Sequence, residues 1–344
     1  MYLLPKPKTI KEQDGQMLLC HSTHIVMTKE VAETEMHAAK RLQEAIRQET
    51  GLILPFSVGE VREGDLSLGI AKTLPEQTYE ITIDEKGGQI SGGDGAGVLY
   101  GVETFCQIVQ QCGGILPCVQ IQDAPDMPNR GYYFDQTRGR VLKLEELKKI
   151  ADRMCRYKLN QLQLYVEHTY LFRDFSEMWR DQTPLTAEEI RELDSYCRER
   201  HIELVPSLAS FGHLCTLLST KTYGDLCEME DSWKEPFSFW NRMRYHTINV
   251  SDERSLPLIK KMIAEYMQLF SSNKFNICAD ETFCLGKYKS KKLAEERGVH
   301  RLYIDYVKEL AQFLVENGKI PMFWGDIISV SYTHLRAHET SLHL

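Results

Sequence analysis

No run of this sequence approaches the ~20 consecutive apolar residues that span a bilayer. Its first residues, Met1-Tyr-Leu-Leu-Pro-Lys-Pro-Lys8, lack the basic start and apolar stretch of a secretory signal. The expectation is a cytoplasmic protein with no membrane partner. Basic residues are in deficit: 41 Lys and Arg stand against 49 Asp and Glu, for a net charge of -8, which argues against a nucleic-acid partner because phosphate binding relies on clustered cations. Ten cysteines are scattered with no C-x-x-C pair and no regular spacing, so neither a disulfide scaffold nor a thiolate metal site is expected, and reduced thiols are. A neutral small molecule fits this composition best.

What is present is enough apolar residue, 42% of 344, to bury at least one large core, at a length that suggests two domains. Residues 1–121 alternate short β-rich runs with helical patterns. Apolar residues recur at helical spacing over 34–50, residues 79–83 alternate as a strand, and a Gly-rich turn opens a helix over 97–109. A small α/β domain is expected there. Residues 122–129, with two prolines and several Asp or Asn, read as a linker.

A strand-helix beat then begins. Strands are predicted over 130–135, 162–166, 202–208, 275–279 and 320–324, with helices over 144–157, from a Thr186/Glu189 capping box to 200, over 251–270, and over 300–316 with Gly318 as its stop. Strands separated by helices imply parallel pairing, and polar residues gather just after each strand, as on the catalytic face of a (β/α)8 TIM barrel. A doubly wound open sheet is the alternative, though no G-x-G-x-x-G follows these strands to suggest a dinucleotide site. Five strands are found to residue 328, so the barrel is read as incomplete. Residues 329–344 do not continue the pattern and read as a non-native tail; a metal site at His334, His338 and His343 is the lesser reading of that segment.

Asn276-Ile-Cys-Ala-Asp-Glu-Thr282 is the most informative stretch: an apolar strand ending in two adjacent carboxylates. Ionising both at the mouth of an apolar strand is costly, which is one way to make a general acid. Successive strand side chains point to opposite faces, so Asp280 and Glu281 can line one site only if the backbone turns at the strand's end. From the pair alone, a solvated strand end or a helix N-terminal carboxylate is the readier reading.

Around it stand Arg130-Gly-Tyr-Tyr-Phe-Asp135 with Arg138, Lys158-Leu-Asn160, Phe211-Gly-His213, Ala279-Asp-Glu281 and Phe323-Trp-Gly-Asp326. In this order and spacing they resemble glycoside hydrolase family 20, the β-N-acetylhexosaminidases, over about residues 130–328, and the preceding domain is similar to that family's small α/β domain. The resemblance implies exo-hydrolysis of terminal β-linked N-acetylhexosamine with retention. In this mechanism the substrate's own acetamide oxygen attacks the anomeric carbon to give an oxazolinium, unlike glycosidases that use two carboxylates for acid and nucleophile. Glu281 would protonate the leaving oxygen and then activate water; Asp280 would hold the acetamide N–H. No metal and no cofactor is expected.

By the same resemblance Arg130 would hold sugar hydroxyls, or else pair with Asp135 structurally. His213, with Phe211 in place of the family's proline, would hydrogen-bond behind the carboxylates or pack the loop. Trp324 would face the sugar or sit in the barrel core. Tyr165-Val-Glu-His-Thr169 looks more like the cytosolic hexosaminidase D branch, with Glu167 as a sugar contact. A non-catalytic glycan-binding or inactive remnant is the competing expectation. A TIM-barrel lyase or aldolase is disfavoured because no lysine stands at the predicted strand ends.

Overall fold

A computed structural model describes residues 1–236 and 238–325. The chain divides into one unit of residues 1–132, 147–161 and 195–203, and another of residues 133–146, 162–194 and 204 onward.

The first unit is built on a seven-stranded mixed sheet. Its strands are β1 (Thr9–Leu18), β2 (Ile25–Met27), β3 (Phe56–Val58), β4 (Leu66–Ile70), β5 (Tyr79–Asp84), β6 (Gly87–Gly92) and β7 (Ile115–Asp123), in the order β1-β7-β5-β6-β4-β2-β3. Helix α1 (Lys29–Thr34) is short. Helix α2 (Met36–Thr50) buries Ala38, Ala39, Leu42 and Ile46, a single stripe at helical spacing. Helix α3 (Gly95–Cys112) is capped by Asp94, whose carboxylate accepts from the Gly97 amide at 2.7 Å, and is buried from Ala96 to Val109. A Cβ at Gly97 would lie 2.2 Å from the Thr78 carbonyl oxygen, so this close approach admits only glycine. Glu103, buried on the same helix, is satisfied by a two-pronged ion pair from Arg41 at 2.8 and 3.0 Å.

The second architecture is a five-stranded sheet in strict sequential order: β8 (Gly131–Asp135), β9 (Gln161–Val166), β10 (Glu203–Leu208), β11 (Lys274–Asn276) and β12 (Ile320–Met322). Strand β11 pairs in parallel with both β10 and β12. Strands β9 and β10 are buried along almost their whole length, as strands covered on both faces are. The helices between them are α4 (Leu144–Arg156), α5 (Ser176–Trp179), α6 (Ala187–Arg198), α7 (Cys215–Leu218), α8 (Phe239–Arg244), α9 (Ser255–Met267), α10 (Lys291–Arg297) and α11 (Val299–Glu316).

Among the described residues these are the five strands expected of an incomplete TIM barrel. The capping box forms reciprocally, the Glu189 amide donating to Thr186 Oγ1 at 3.2 Å and the Thr186 amide to Glu189 Oε2 at 2.9 Å. Gly318, at φ 73°, ends α11 as expected. Asp326, the expected tail at 329–344 and the histidines at 334, 338 and 343 lie outside the described residues. No described helix is long and apolar enough to cross a membrane.

Candidate active site

Strand β11 stops at Asn276, three residues short of the expected 279, because the backbone then turns. Cys278, Ala279 and Glu281 adopt left-handed conformations at φ 57°, 61° and 49°. Each such non-glycine residue costs on the order of 1 kcal/mol or more and persists only where the surroundings enforce it. Here they do. The Asn276 side chain accepts from the Cys278 amide at 2.9 Å, Ser210 Oγ donates to the Ile277 carbonyl at 2.6 Å, the Trp324 amide donates to Cys278 O at 2.9 Å, and Tyr303 of α11 donates to Ala279 O at 3.0 Å. The turn solves the problem posed by alternation: two consecutive side chains, Asp280 and Glu281, approach one point.

That point is His213, at the end of the loop that follows β10. Its Nε2 lies 3.3 Å from Asp280 Oδ2 and 3.3 Å from Glu281 Oε2, and its side chain is only 2% exposed. The contacts are ionic in distance without hydrogen-bond alignment, and both ring nitrogens are buried without a hydrogen-bond partner. Burial alone would lower the His213 pKa, but the carboxylates of Asp280, Glu167 and Glu281 together outweigh it and raise it above the ordinary imidazole value. The sign for stability follows. A group whose folded pKa is raised contributes fully below its unfolded value, about 6.5, and loses that contribution as pH rises through the folded value. His213→Gln should therefore flatten the stability-pH curve on the alkaline side of about 6.5, as measured by denaturant midpoints across pH.

Phe211 explains why the loop holds without the family proline. Its ring lies 4.2 Å from Tyr306 and 5.6 Å from Tyr303, and the Tyr306 hydroxyl donates to Ser210 O at 2.9 Å. Gly212 is where the two loops meet: a Cβ there would stand 2.5 Å from Asp280 O and 3.1 Å from Glu281 O. Since these are backbone atoms, Gly212→Ala has to push the carboxylate turn aside. It should cost roughly 1–3 kcal/mol of stability by overpacking, read by chemical denaturation.

Asp280 Oδ1 is buried with no hydrogen-bond donor. Buried carboxylate oxygens are normally satisfied, so this one is an acceptor that no donor among the described residues serves. The wall beside it is aromatic. Trp324 packs edge-on against Tyr133, ring centres 5.2 Å apart, while Tyr133 lies 6.0 Å from Tyr165 and its hydroxyl is 3.0 Å from Ser207 Oγ. Trp324 is 39% exposed.

Glu167 is nearly fully buried, and its carboxylate already accepts from Tyr165 OH at 3.0 Å and Arg242 at 3.0 Å, with Arg138 at 3.9 Å. Each of its oxygens thus holds one donor, and in the structure it anchors Arg242. Arg130 requires a correction. Every nitrogen of its guanidinium donates within the first unit, to Lys158 O at 2.8 Å, Gln77 Oε1 at 2.9 Å, Met127 O at 2.7 Å and Tyr100 OH at 3.0 Å. It neither holds out donors for a sugar nor pairs with Asp135, whose carboxylate takes Arg138 Nε at 2.7 Å.

Tyr133, Arg242 and Glu228 escaped sequence reasoning. Glu228, fully buried, accepts from the Ser290 amide at 3.0 Å, Ser290 Oγ at 2.7 Å and the Tyr288 amide at 3.2 Å, fastening the segment that follows Glu281. The D-x-x-R spacing of Asp135 and Arg138 was the only signal pointing toward this outer ring. One nitrogen of His213 and one oxygen each from Asp280 and Glu281 lie within 4.8 Å of one another and could gather a cation. A cation there would compete with any proton the two carboxylates hold.

A parallel α/β catalytic sheet with paired carboxylates at a strand end defines a class, and comparison defines the family. Residues 1–124 match the model of glycosyl hydrolase family 20, domain 2, and residues 128–342 that of the glycosyl hydrolase family 20 catalytic domain. The chain belongs to glycosyl hydrolase family 20. It is 24% identical over 363 residues to a beta-hexosaminidase of Porphyromonas gingivalis, covering 95% of this chain and 45% of the relative. To a beta-hexosaminidase of Vibrio furnissii it is 26% identical over 310 residues, covering 81% and 48%. The chain thus spans about half the length of these curated relatives. Among solved structures it resembles the Streptomyces plicatus N-acetyl-beta-hexosaminidase in complex with Thio-NAglucal, with TM-score 0.79, 20% identity and coverage of 94% of this chain and 66% of that one. The beta-N-acetylhexosaminidase of Bacteroides fragilis gives 0.76, 19%, 95% and 67%. At such identities the structural likeness shows the fold.

Proposed function

We propose that the protein containing this chain is an exo-β-N-acetylhexosaminidase that removes terminal β-linked N-acetylglucosamine or N-acetylgalactosamine with retention, the substrate's acetamide serving as nucleophile. The observation that carries this reading is Asp280 Oδ1, a buried acceptor without a donor beside the second carboxylate. An acetamide N–H is the donor it lacks. Accepting that bond orients the acetamide oxygen toward the anomeric carbon and opposes the positive charge that spreads over the amide as the ring closes. Glu281 gives its proton to the departing oxygen and afterwards takes one from the water that opens the oxazolinium. Trp324 and Tyr133 offer aromatic faces to the apolar side of the sugar. Family membership supports the reading, as do the Streptomyces plicatus beta-hexosaminidase structures solved with N-acetylglucosamine as product.

Tyr165-Val-Glu-His-Thr169 supports placing the protein nearest the hexosaminidase D branch, and ten cysteines without a disulfide support work in the cytoplasm. The test of function is hydrolysis of an aryl β-N-acetylglucosaminide against the matching aryl β-glucoside. Cleavage of the first and not the second is expected. Saturable binding of N-acetylglucosamine with no cleavage would replace the enzyme by a glycan-binding protein.

A further inference from the structure

Helix α8 lies in the long connection after β10 and carries charges inward and aromatics outward. Ser238 caps it, accepting from the Asn241 amide at 3.0 Å. Arg242 pins it to Glu167 at 3.0 Å, and Arg138 Nη1 lies 3.2 Å from Met243 Sδ. Phe239 and Trp240 are left about 60% exposed, at 64% and 59%. Large aromatics exposed together on a soluble surface mark a contact site.

Arg244 ties this helix to the segment bearing the proposed acid. Its guanidinium carbon lies 4.0 Å from the centre of the Trp240 ring and 5.5 Å from that of Phe283, two residues beyond Glu281. Its carbonyl accepts from Cys284 Sγ at 3.1 Å. In a chain with net charge -8, Arg244 has no carboxylate in ion-pair range among the described residues, and its Nε is buried without an acceptor. A stacked, half-buried guanidinium with no partner is a preformed anion receptor.

We infer that Trp240, Arg244 and Phe283 form the binding shelf for the sugar on the leaving-group side, and that the shelf selects a sugar bearing an anionic group, a carboxylate or a sulfate. This rests on Glu281 being the general acid. The proton goes to the glycosidic oxygen, so the departing sugar lies against the chain just past Glu281, where Phe283 and Arg244 stand. Aromatic faces take the apolar side of a pyranose, and the guanidinium takes two anionic oxygens in one plane.

The test compares N-acetylglucosamine β-linked to glucose, to glucuronate and to a sulfated glucose, in kcat/KM and in binding read by tryptophan fluorescence, which needs no turnover. The chain should favour an anionic partner over glucose by roughly tenfold to a hundredfold, the range of one charge-assisted contact. Which of the two anionic disaccharides gains more identifies the group. In Arg244→Gln the preference should collapse toward unity, chiefly through KM. Arg244→Lys should keep part of it, and Trp240→Ala should weaken all three disaccharides alike. Hydrolysis with equal preference for neutral and anionic partners overturns the shelf while leaving the functional reading intact. Failure to hydrolyse or bind any of the three overturns both.

Discussion

Replacing Glu281 by glutamine should lower kcat by about 10²–10⁴ on substrates whose leaving group needs a proton, the range expected when a positioned general acid is lost. Glutamine keeps the volume and the left-handed turn, so the loss reports chemistry and not collapse of the loop that Tyr303, Ser210 and Asn276 hold. On an aryl glycoside with a strongly acidic phenol the bond breaks without help, and formation of the intermediate should be slowed far less. Rates on a leaving-group series, plotted against phenol pKa, check this. A steeper dependence is expected in Glu281→Gln than in the parent. Equal losses across the series would remove Glu281 from the acid role.

Asp280→Asn should show the opposite pattern. Its role, as proposed, is to hold the acetamide and oppose charge on the cyclising amide, a step common to every leaving group. The loss should be roughly 10²–10³ in kcat, the scale of one preorganised electrostatic contact, and nearly constant across the phenol series. Buried Oδ1 has no other partner to compensate. Binding of N-acetylglucosamine by the variant should weaken less than catalysis does, because the interaction strengthens as charge develops. A loss confined to poor leaving groups would make Asp280 the acid and contradict the assignment.

Much of this site was legible because strand-helix alternation is a strong signal in apolar parallel strands. The strands expected at 162–166 and 202–208 differ from β9 and β10 by a single residue at one end. The end of β11 at Asn276 is not legible in the sequence for a physical reason. Turns are read from glycine and proline, and here Cys278, Ala279 and Glu281 take left-handed angles without either, held by tertiary hydrogen bonds that leave no local trace. The same holds for α8, a six-residue helix whose place depends on an ion pair between Arg242 and Glu167, 75 positions apart. Arg130 illustrates the converse: a motif match gives a residue type its family role, but only geometry reveals that its donors are committed to carbonyls and to Tyr100. In the first unit the three-residue strands β2 and β3 are too short for alternation to register.

The central claim is that Asp280 holds an acetamide that attacks its own anomeric carbon. The most direct measurement is competitive inhibition by the thiazoline analogue of N-acetylglucosamine, which carries the cyclised geometry, set beside inhibition by N-acetylglucosamine itself. The account predicts that the thiazoline binds at least about 10²-fold tighter, as analogues of transition states and intermediates do, and that this advantage shrinks in Asp280→Asn. A thiazoline no tighter than N-acetylglucosamine, with its affinity unchanged in Asp280→Asn, would contradict it.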